Sequence, residues 1–185
     1  MKLGDGDNIG IGGAYNDTIE CGDGNDIVAG DSVEIYFIAQ SESTFSIKSL
    51  NTSIGGDDNI TLGQGNNIGI GGAFDDTITT GSGRDIVAGD SVAIEFSTID
   101  ANITHLTSLD ARIGGRDIME LGDGDNIGIG GADDDTIDCG EGYDIVAGDS
   151  VEIHFIKASE LVQSITSLNT SIGGDDNITL GQGNN

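Results

Sequence analysis

The chain of 185 residues contains no proline and no tryptophan, and aromatic residues make up only 4% of it. Basic residues are also scarce, with 6 Lys and Arg against 33 Asp and Glu, which gives a formal net charge of -27. This charge disfavours anionic partners, so nucleic acid and anionic membrane surfaces are poor candidates. No apolar run approaches the roughly 20 residues that span a bilayer, so we expect no membrane insertion.

Glycine is abundant, with 32 residues, and helical periodicity is missing. Long amphipathic helices need fewer glycines and a 3.6-residue period, so the sequence excludes them as the main element. Short β-branched runs such as NITL, NIGI, DTIT and DIVA alternate with Gly/Asp/Asn turns. This alternation predicts many short strands and an all-β fold.

A nine-residue period organises the chain and is clearest between Gly71 and Ser91, in GGAFDDTIT and TGSGRDIVA. Each block opens with a glycine-rich turn, has Asp or Asn at its sixth position and closes on strand-forming residues. Four consecutive blocks place Asp58, Asn67, Asp76 and Asp85 nine residues apart. A Gly-x-Gly-x-Asp-x-apolar period of this length is typical of a calcium-binding β-roll or β-helix.

The sequence also has a longer period of 59 residues, because the motif LG-x-G-x-N begins at Leu3, Leu62, Leu121 and Leu180. We therefore predict one parallel β-solenoid domain over 1–185, with repeats at 3–61, 62–120 and 121–179 and a fourth beginning at 180–185. Each repeat is predicted to form two 18-residue coils and one 23-residue coil. No signal peptide opens the chain, so we expect export to be directed from outside this segment.

The period also assigns residues to edges and faces of the solenoid. One edge, called edge A, is predicted to carry Asp58, Asp76, Asp90 and Asp117, and the opposite edge B to carry Asn67 and Asp85. Variable loops at 40–44, 97–101 and 157–160 are placed on edge B. Period-2 alternation predicts that Ile60, Ile68, Ile78 and Ile86 face inwards, and that Gly69 and Val87 face outwards.

The blocks at 21–29, 80–88 and 139–147 resemble the RTX, or haemolysin-type calcium-binding, repeats, whose consensus is GGxGxDx-apolar-x. The resemblance implies a parallel β-roll with calcium in its turns, as in large secreted or surface bacterial proteins. It implies calcium ligands in the carboxylates of Asp26, Asp85 and Asp144 and in the carbonyls of Gly22, Gly24, Gly81, Gly83, Gly140 and Gly142. The aspartates in equivalent sixth positions are Asp17, Asp58, Asp76, Asp117, Asp135 and Asp176.

Some positions depart from the consensus. Tyr15, Phe74 and Asp133 replace its third glycine, so those turns are expected to differ in geometry. Asn8, Asn67 and Asn126 replace the sixth-position Asp and are expected to be weaker ligands, whereas the long coil offers only Asp31, Asp90 and Asp149. The alternative is that Asp and Asn form turns through their own backbone without metal.

We expect no enzymatic activity, because no nucleophile–His–acid set is visible and every acidic cluster belongs to the repeat. The histidines, His105 and His154, are interpreted as two separate surface residues. Cys21 and Cys139 are interpreted as small core residues six coils apart, about 29 Å, which is too far for a disulfide.

The sequence therefore predicts a calcium-stabilised structural segment of a long extracellular repeat protein, such as an adhesin stalk or a fibre. It would fold on several Ca²⁺ ions after export, and it could also stack head to tail with copies of itself. The alternatives are a glycan- or protein-binding module that uses the variable loops, and the secretion domain of an exoenzyme. Ice binding ranks low, because outward residues such as Asn59, Gly69 and Glu95 do not form a regular flat row.

Overall fold

The structure, a computed structural model, describes residues 1–38, 44–157, 159, 161–169 and 171–183. Within these ranges it contains 18 β-strands and no helix that is long and apolar enough to cross a membrane. The strands are β1 (Ile9–Ile11), β2 (Thr18–Glu20), β3 (Ile27–Ala29), β4 (Val33–Phe37), β5 (Thr44–Ser49), β6 (Asn59–Thr61), β7 (Ile68–Gly72), β8 (Thr77–Thr79), β9 (Ile86–Asp90), β10 (Val92–Phe96), β11 (Ile103–Ser108), β12 (Ile118–Leu121), β13 (Ile127–Gly131), β14 (Thr136–Cys139), β15 (Ile145–Asp149), β16 (Val151–Phe155), β17 (Val162–Ser167) and β18 (Asn177–Thr179).

Two of the three sheets are parallel and form the walls of a solenoid. The outer sheet has the order β2-β6-β8-β12-β14-β18, and the middle sheet has the order β1-β3-β7-β9-β13-β15. Consecutive strands such as β6, β7, β8 and β9 alternate between these two sheets, so the chain winds in coils. The prediction of an all-β fold built on a parallel solenoid is confirmed.

The coils alternate between a short form and a long form. Ile60 of β6 pairs with Ile78 of β8, and Ile78 pairs in turn with Met119 of β12. The hydrogen-bonded turn residues before these strands show the same alternation, with sequence separations of 18 for Asp58–Asp76 and 41 for Asp76–Asp117. Each repeat therefore contributes two coils, and the predicted third coil is absent from the described part of the chain.

The extra residues of the long coil form a β-hairpin. Strands β4–β5, β10–β11 and β16–β17 are hairpins, and they join edge to edge into a wholly antiparallel third sheet, the hairpin sheet. This segment lacks the Gly-x-Gly-x-Asp turn that continues a coil, and an antiparallel pair needs only a short loop. The loop at 97–101 is one hairpin tip; residues 40–43, 158 and 160 of the other predicted loops lie outside the described residues.

The inner strands of the middle sheet are buried on both faces, which gives the molecule two cores. Ile70, Ile86 and Ala88 pack against the hairpin sheet in a cluster that includes Ile94 and Leu106. On the opposite face of the middle sheet, Val28 and Val87 pack among Ile60, Leu62 and Ile78 of the outer sheet. The predicted faces of the middle-sheet strands are therefore reversed: Val87 and Gly69 face the outer sheet, inside the solenoid, whereas Ile86 faces away from the outer sheet and is buried because the hairpin sheet covers that side.

The two edges of the solenoid use different turns. At the fourth position of the edge-A blocks, Tyr15, Phe74 and Asp133 have φ of 70°, 77° and 68°. The corresponding edge-B glycines have larger values, with φ of 154° at Gly24 and 148° at Gly83. The expected difference in turn geometry is thus present, and edge A holds side chains in the left-handed region that glycine usually occupies.

Both cysteines are free thiols, with Cys139 buried and Cys21 partly buried. Cys21 directly follows strand β2, and Cys139 is the last residue of strand β14. These two strands of the outer sheet are four strand spacings apart. That separation is about 19 Å rather than the predicted value of about 29 Å, because each repeat has two coils. It still exceeds the reach of a disulfide.

Candidate metal centre

Edge A is formed by a ladder of six aspartates, one from each turn. In each turn the backbone N–H of the aspartate donates to the Oδ1 atom of the aspartate in the next turn. The donor–acceptor distances are 2.7 Å for Asp17–Asp58, 2.7 Å for Asp58–Asp76, 2.8 Å for Asp76–Asp117, 2.9 Å for Asp117–Asp135 and 3.0 Å for Asp135–Asp176. The nine-residue frame therefore brings together carboxylates that are distant in sequence.

The second carboxylate oxygen of the four inner aspartates is buried and has no hydrogen-bond partner among the described residues. These orphaned atoms are Oδ2 of Asp58, Asp76, Asp117 and Asp135. Leaving a buried charged oxygen without a partner is costly, so native proteins normally pair such a group or use it to coordinate a metal. The orphaned row fits a cation with a preference for oxygen ligands.

Glycines line the space in front of these orphaned oxygens. A Cβ atom added to Gly89 would lie 2.0 Å from Asp117 Oδ2, and one added to Gly71 would lie 2.2 Å from Asp76 Oδ2 and 2.3 Å from the Gly89 carbonyl oxygen. Gly30 and Gly148 repeat the arrangement with Asp58 and Asp176, at 1.9 and 2.0 Å. Because glycine has no Cβ atom, carboxylate and carbonyl oxygens can approach one another in these spaces.

The aspartates of the GDS segments lie beside the ladder. Asp31 accepts a backbone hydrogen bond from Ala73 at 2.7 Å, and Asp90 accepts one from Gly115 at 3.2 Å. Asp149 accepts the equivalent bond from Gly174 at 3.2 Å. Edge A therefore has a second, flanking row of carboxylates.

Burial and mutual repulsion raise the pKa values of the edge-A carboxyl groups. Desolvation, with the charge of Asp117 next, raises the pKa of Asp76 to about 10 and that of Asp90 to about 9. Desolvation also raises the pKa of Asp135 to about 8 and of Asp117 to about 7, against hydrogen bonds that lower it. Without a cation, edge A therefore retains protons near neutral pH, and a bound cation would have to displace them.

Edge B carries a similar ladder in which Asn and Asp alternate. The backbone N–H of each residue donates to the side-chain oxygen of the next. The distances are 2.8 Å for Asn8–Asp26, 3.0 Å for Asp26–Asn67, 2.8 Å for Asn67–Asp85, 2.9 Å for Asp85–Asn126 and 3.0 Å for Asn126–Asp144. Both Asn and Asp are thus held by the same backbone contact.

The asparagines and aspartates of edge B differ in what their second side-chain atom contacts. Asn67 Nδ2 donates to the carbonyl oxygens of Gly63 and Gly65, at 3.1 and 3.2 Å, and Asn126 Nδ2 donates to those of its own turn at 2.8 and 3.2 Å. In the aspartate turns, Oδ2 of Asp26 and of Asp85 is buried and unpartnered. The amide orientation follows from the network, because only oxygens lie near Nδ2 and a backbone donor lies at Oδ1.

The glycine carbonyls expected to join the aspartates face the next turn at very close range. An added Cβ at Gly122 or Gly124 would lie 2.1 or 1.7 Å from the carbonyl oxygens of Gly81 and Gly83. Gly22 and Gly24 face the following turn in the same way, as does Gly140. Only glycine permits this stacking, because a side chain would clash with the carbonyl oxygen of the neighbouring turn. The stacking keeps these carbonyl oxygens at edge B, where the side chains of Asp85 and its equivalents also lie.

The hairpin register brings together a cluster that the sequence analysis missed. His105 of β11 is paired directly with His154 of β16, although the two residues belong to different repeats. Interpreting the segment between the nonapeptides as a hairpin would have revealed this neighbourhood, because antiparallel pairing fixes which side chains lie opposite each other.

Comparison with known families agrees with the geometry. The model of the RTX calcium-binding nonapeptide repeat matches in four copies, at residues 4–32 and 61–92. No curated protein and no solved structure matches the chain. RTX nonapeptide repeats bind calcium, and the matched residues include four of the aspartates with an orphaned oxygen, Asp26, Asp31, Asp76 and Asp85. Residues 4–32 and 61–92 therefore carry RTX calcium-binding nonapeptide repeats.

Proposed function

We propose that this chain is a calcium-stabilised structural solenoid segment of a long extracellular or cell-surface repeat protein, such as an adhesin stalk or a fibre. The observation that carries the proposal is the edge-A row of buried aspartates, each inner member with an unpartnered oxygen. With a net charge of -27, repulsion opposes compaction in the absence of cations. Folding and calcium binding then occur together.

This coupling suits a protein that is exported before it folds. Where calcium is scarce, as in the cytosol, the carboxylates repel one another and the chain stays unfolded. Where calcium is plentiful, outside the cell, ions neutralise the ladder and fix the coils. RTX repeats are typical of secreted bacterial proteins, which supports an extracellular location. The absence of catalysis in this segment remains a prediction.

Small-angle scattering during a calcium titration tests the proposal. In EDTA at pH 8 we expect a radius of gyration of roughly 46 Å, the value for an unfolded chain of this length, and in calcium a fall to roughly 16 Å. Magnesium serves as the control, because it dehydrates reluctantly and demands a stricter geometry. A chain that is already compact in EDTA at this pH would overturn the calcium mechanism.

Both end coils expose apolar residues whose equivalents in the inner coils are buried. Ile9 and Ile11 of β1 are exposed, as are Ile178 of β18 and Leu180. A further coil could cover them, supplied by more of the same chain or by another copy stacked head to tail. Light scattering in calcium distinguishes the two: assemblies that grow with concentration support filament formation, whereas a monomer at all concentrations supports a spacer.

A second candidate, a ligand-binding module, is favoured by the hairpin tips. Ile99 is 93% exposed and Leu161 is 68% exposed, and both lie at tips on the edge-B side. Binding residues concentrate in loops that a rigid scaffold positions, and these exposed side chains are available to contact a partner. Glycan-array or pull-down binding that follows a tip when tips are exchanged between repeats would support this function, which is compatible with the structural one.

On edge B we propose that calcium occupies the aspartate turns and that the asparagine amide closes the turns between them. Asn67→Asp is then expected to add one calcium ion per chain and Asp85→Asn to remove one. Native mass spectrometry gives the ion count.

The matched control for that pair is Asn66→Asp, which adds the same charge at the neighbouring, exposed position. It should leave the ion count unchanged. An equal ion count in Asn67→Asp and the unmodified chain would show that the amide does not occupy a calcium position.

A further inference from the structure

The two histidines form a cluster with one glutamate on the outward face of the hairpin sheet. The His105 and His154 rings are stacked, with centroids 4.5 Å apart and planes 9° from parallel. Glu152 Oε1 lies 3.0 Å from His105 Nε2 and 3.5 Å from His154 Nε2. One ligand atom from each of the three residues can be chosen so that all lie within 4.8 Å of one another.

These side chains stand on a rigid base and remain open to solvent. Leu106 and Ile153, which follow His105 and precede His154, are fully buried in the core beneath the sheet. The side chains of His105, Glu152 and His154 are 21%, 36% and 45% exposed. An ion can therefore reach the cluster without any change in the backbone.

Two imidazole nitrogens and a carboxylate oxygen suit a transition metal and not calcium, which takes oxygen ligands. Zinc bonds to such atoms at about 2.0–2.2 Å, so its tetrahedral ligands lie about 3.4 Å apart. The measured separations from Glu152 Oε1, 3.0 and 3.5 Å, bracket that value. The stacked rings need a rotation about their side-chain bonds to aim both nitrogens at one ion, and the half-exposed His154 has room for it.

We propose that His105, Glu152 and His154 form a binding site for a divalent transition metal of the zinc type, separate from the calcium rows. The bound metal would join the second hairpin to the third and so cross-link two repeats. Glu95, which pairs with His105 from β10, has Oε2 3.9 Å from His105 Nδ1, the ring nitrogen that Glu152 does not contact.

The other hairpin junction shows that this cluster is not part of the repeat. In the repeat before, the positions of His105, Glu152 and His154 are held by Ser46, Ala93 and Glu95. Ser46 and Glu95 are paired across β5 and β10 in the same way that His105 and His154 are paired across β11 and β16. The register is the same, and only the second junction has histidines at it.

Zinc titration of the calcium-saturated chain tests the site, because excess calcium occupies the acidic rows. Calorimetry should report one saturable zinc ion per chain. Histidine ring-proton NMR signals come from these two residues alone, and those of both should shift together as zinc is added. His105→Gln and His154→Gln should each weaken zinc affinity at least tenfold, with the calcium-dependent circular dichroism unchanged.

The control is Glu34→Gln, which removes an exposed carboxylate from the first hairpin and should leave zinc affinity unaltered. Zinc binding that is equally strong in both histidine variants would assign the ion to the acidic rows and overturn the site. The absence of saturable binding in excess calcium, or a shift in the signals of only one histidine, would overturn it as well.

Discussion

Without calcium, the chain is expected to be far less stable at pH 9.5 than at pH 5.5, and to be unfolded at the higher pH. The reason is that burial raises the pKa values of the edge-A carboxyl groups, from about 6 at Asp31 and Asp58 to about 10 at Asp76. In the unfolded chain the same groups have an ordinary pKa near 3.9. Metal-free folded protein therefore binds more protons than unfolded protein throughout the interval between these values.

The sign of the effect follows from that difference. When the folded state binds more protons, stability falls as pH rises. The stabilisation is complete below the unfolded value near 3.9 and is lost progressively as pH passes through the raised pKa values, from about 6 to about 10. One pKa unit at each of six such carboxyl groups would already total about 8 kcal/mol, as much as a whole domain typically has.

Thermal melts followed by far-UV circular dichroism in EDTA, from pH 5.5 to 9.5, measure this dependence. In saturating calcium the melting temperature should instead change little or rise over the same range, since protons compete with the metal. A metal-free melting temperature that rises with pH would contradict the raised pKa values and, with them, the repulsive ladder.

The second large effect is expected from Gly89→Ala. The new Cβ would lie 2.0 Å from Asp117 Oδ2 and 2.6 Å from its Cγ, and the backbone of β9 is fixed by hydrogen bonds to strands on both sides. Asp117 must therefore leave its position, which removes a proposed ligand and breaks the contact to the Asp76 backbone N–H. Overpacking and the lost contact together cost about 3 kcal/mol or more.

A loss of that size lowers the melting temperature in calcium by about 6–12 °C for a chain of this length. The calcium midpoint should also rise at least tenfold. Gly69→Ala is the matched control, because it adds the same methyl group to the same sheet but contacts only the side-chain carbons of Ile78 and Leu62, at 3.2 and 3.4 Å. Equal calcium midpoints in the two variants would show that the space beside Asp117 holds no ion.

The aspartate ladder could be predicted from the sequence because it depends on one period. A fixed nine-residue spacing places each sixth-position residue at a turn, so the proximity of Asp58 and Asp76, which are 18 residues apart, follows from the period. The direct contact between Asp76 and Asp117, which are 41 residues apart, does not follow from it, because the prediction placed the turn of Asp90 between them. The hairpins could not be predicted in this way. Residues 92–108 carry no nonapeptide, and their apolar residues suit either a wide coil or a folded-back pair.

The reversed faces of the middle-sheet strands have the same origin. Alternation predicts two faces of a strand but not what covers each face, so Val87 was assigned to the exterior although both faces of β9 are buried. Likewise, Asn67 has an oxygen at the position of a ligand, and the sequence alone does not show that its Nδ2 contacts two glycine carbonyls. The burial of Val87 depends on neighbours that are distant in sequence, whereas the contacts of Asn67 are local and depend on the conformation of its own turn.

The third sheet changes how such a chain would respond to a transverse force. Each repeat adds two coils, about 10 Å of length, whereas nonapeptides alone would give about 16 Å for the same stretch of chain. The hairpin residues add no length to the solenoid and lie in a layer about 10 Å beyond the middle sheet, on the side away from the outer sheet. Resistance to bending increases more than in proportion to thickness. A tandem array of these repeats would therefore be shorter, thicker and stiffer than an array of the same number of residues built from nonapeptides alone.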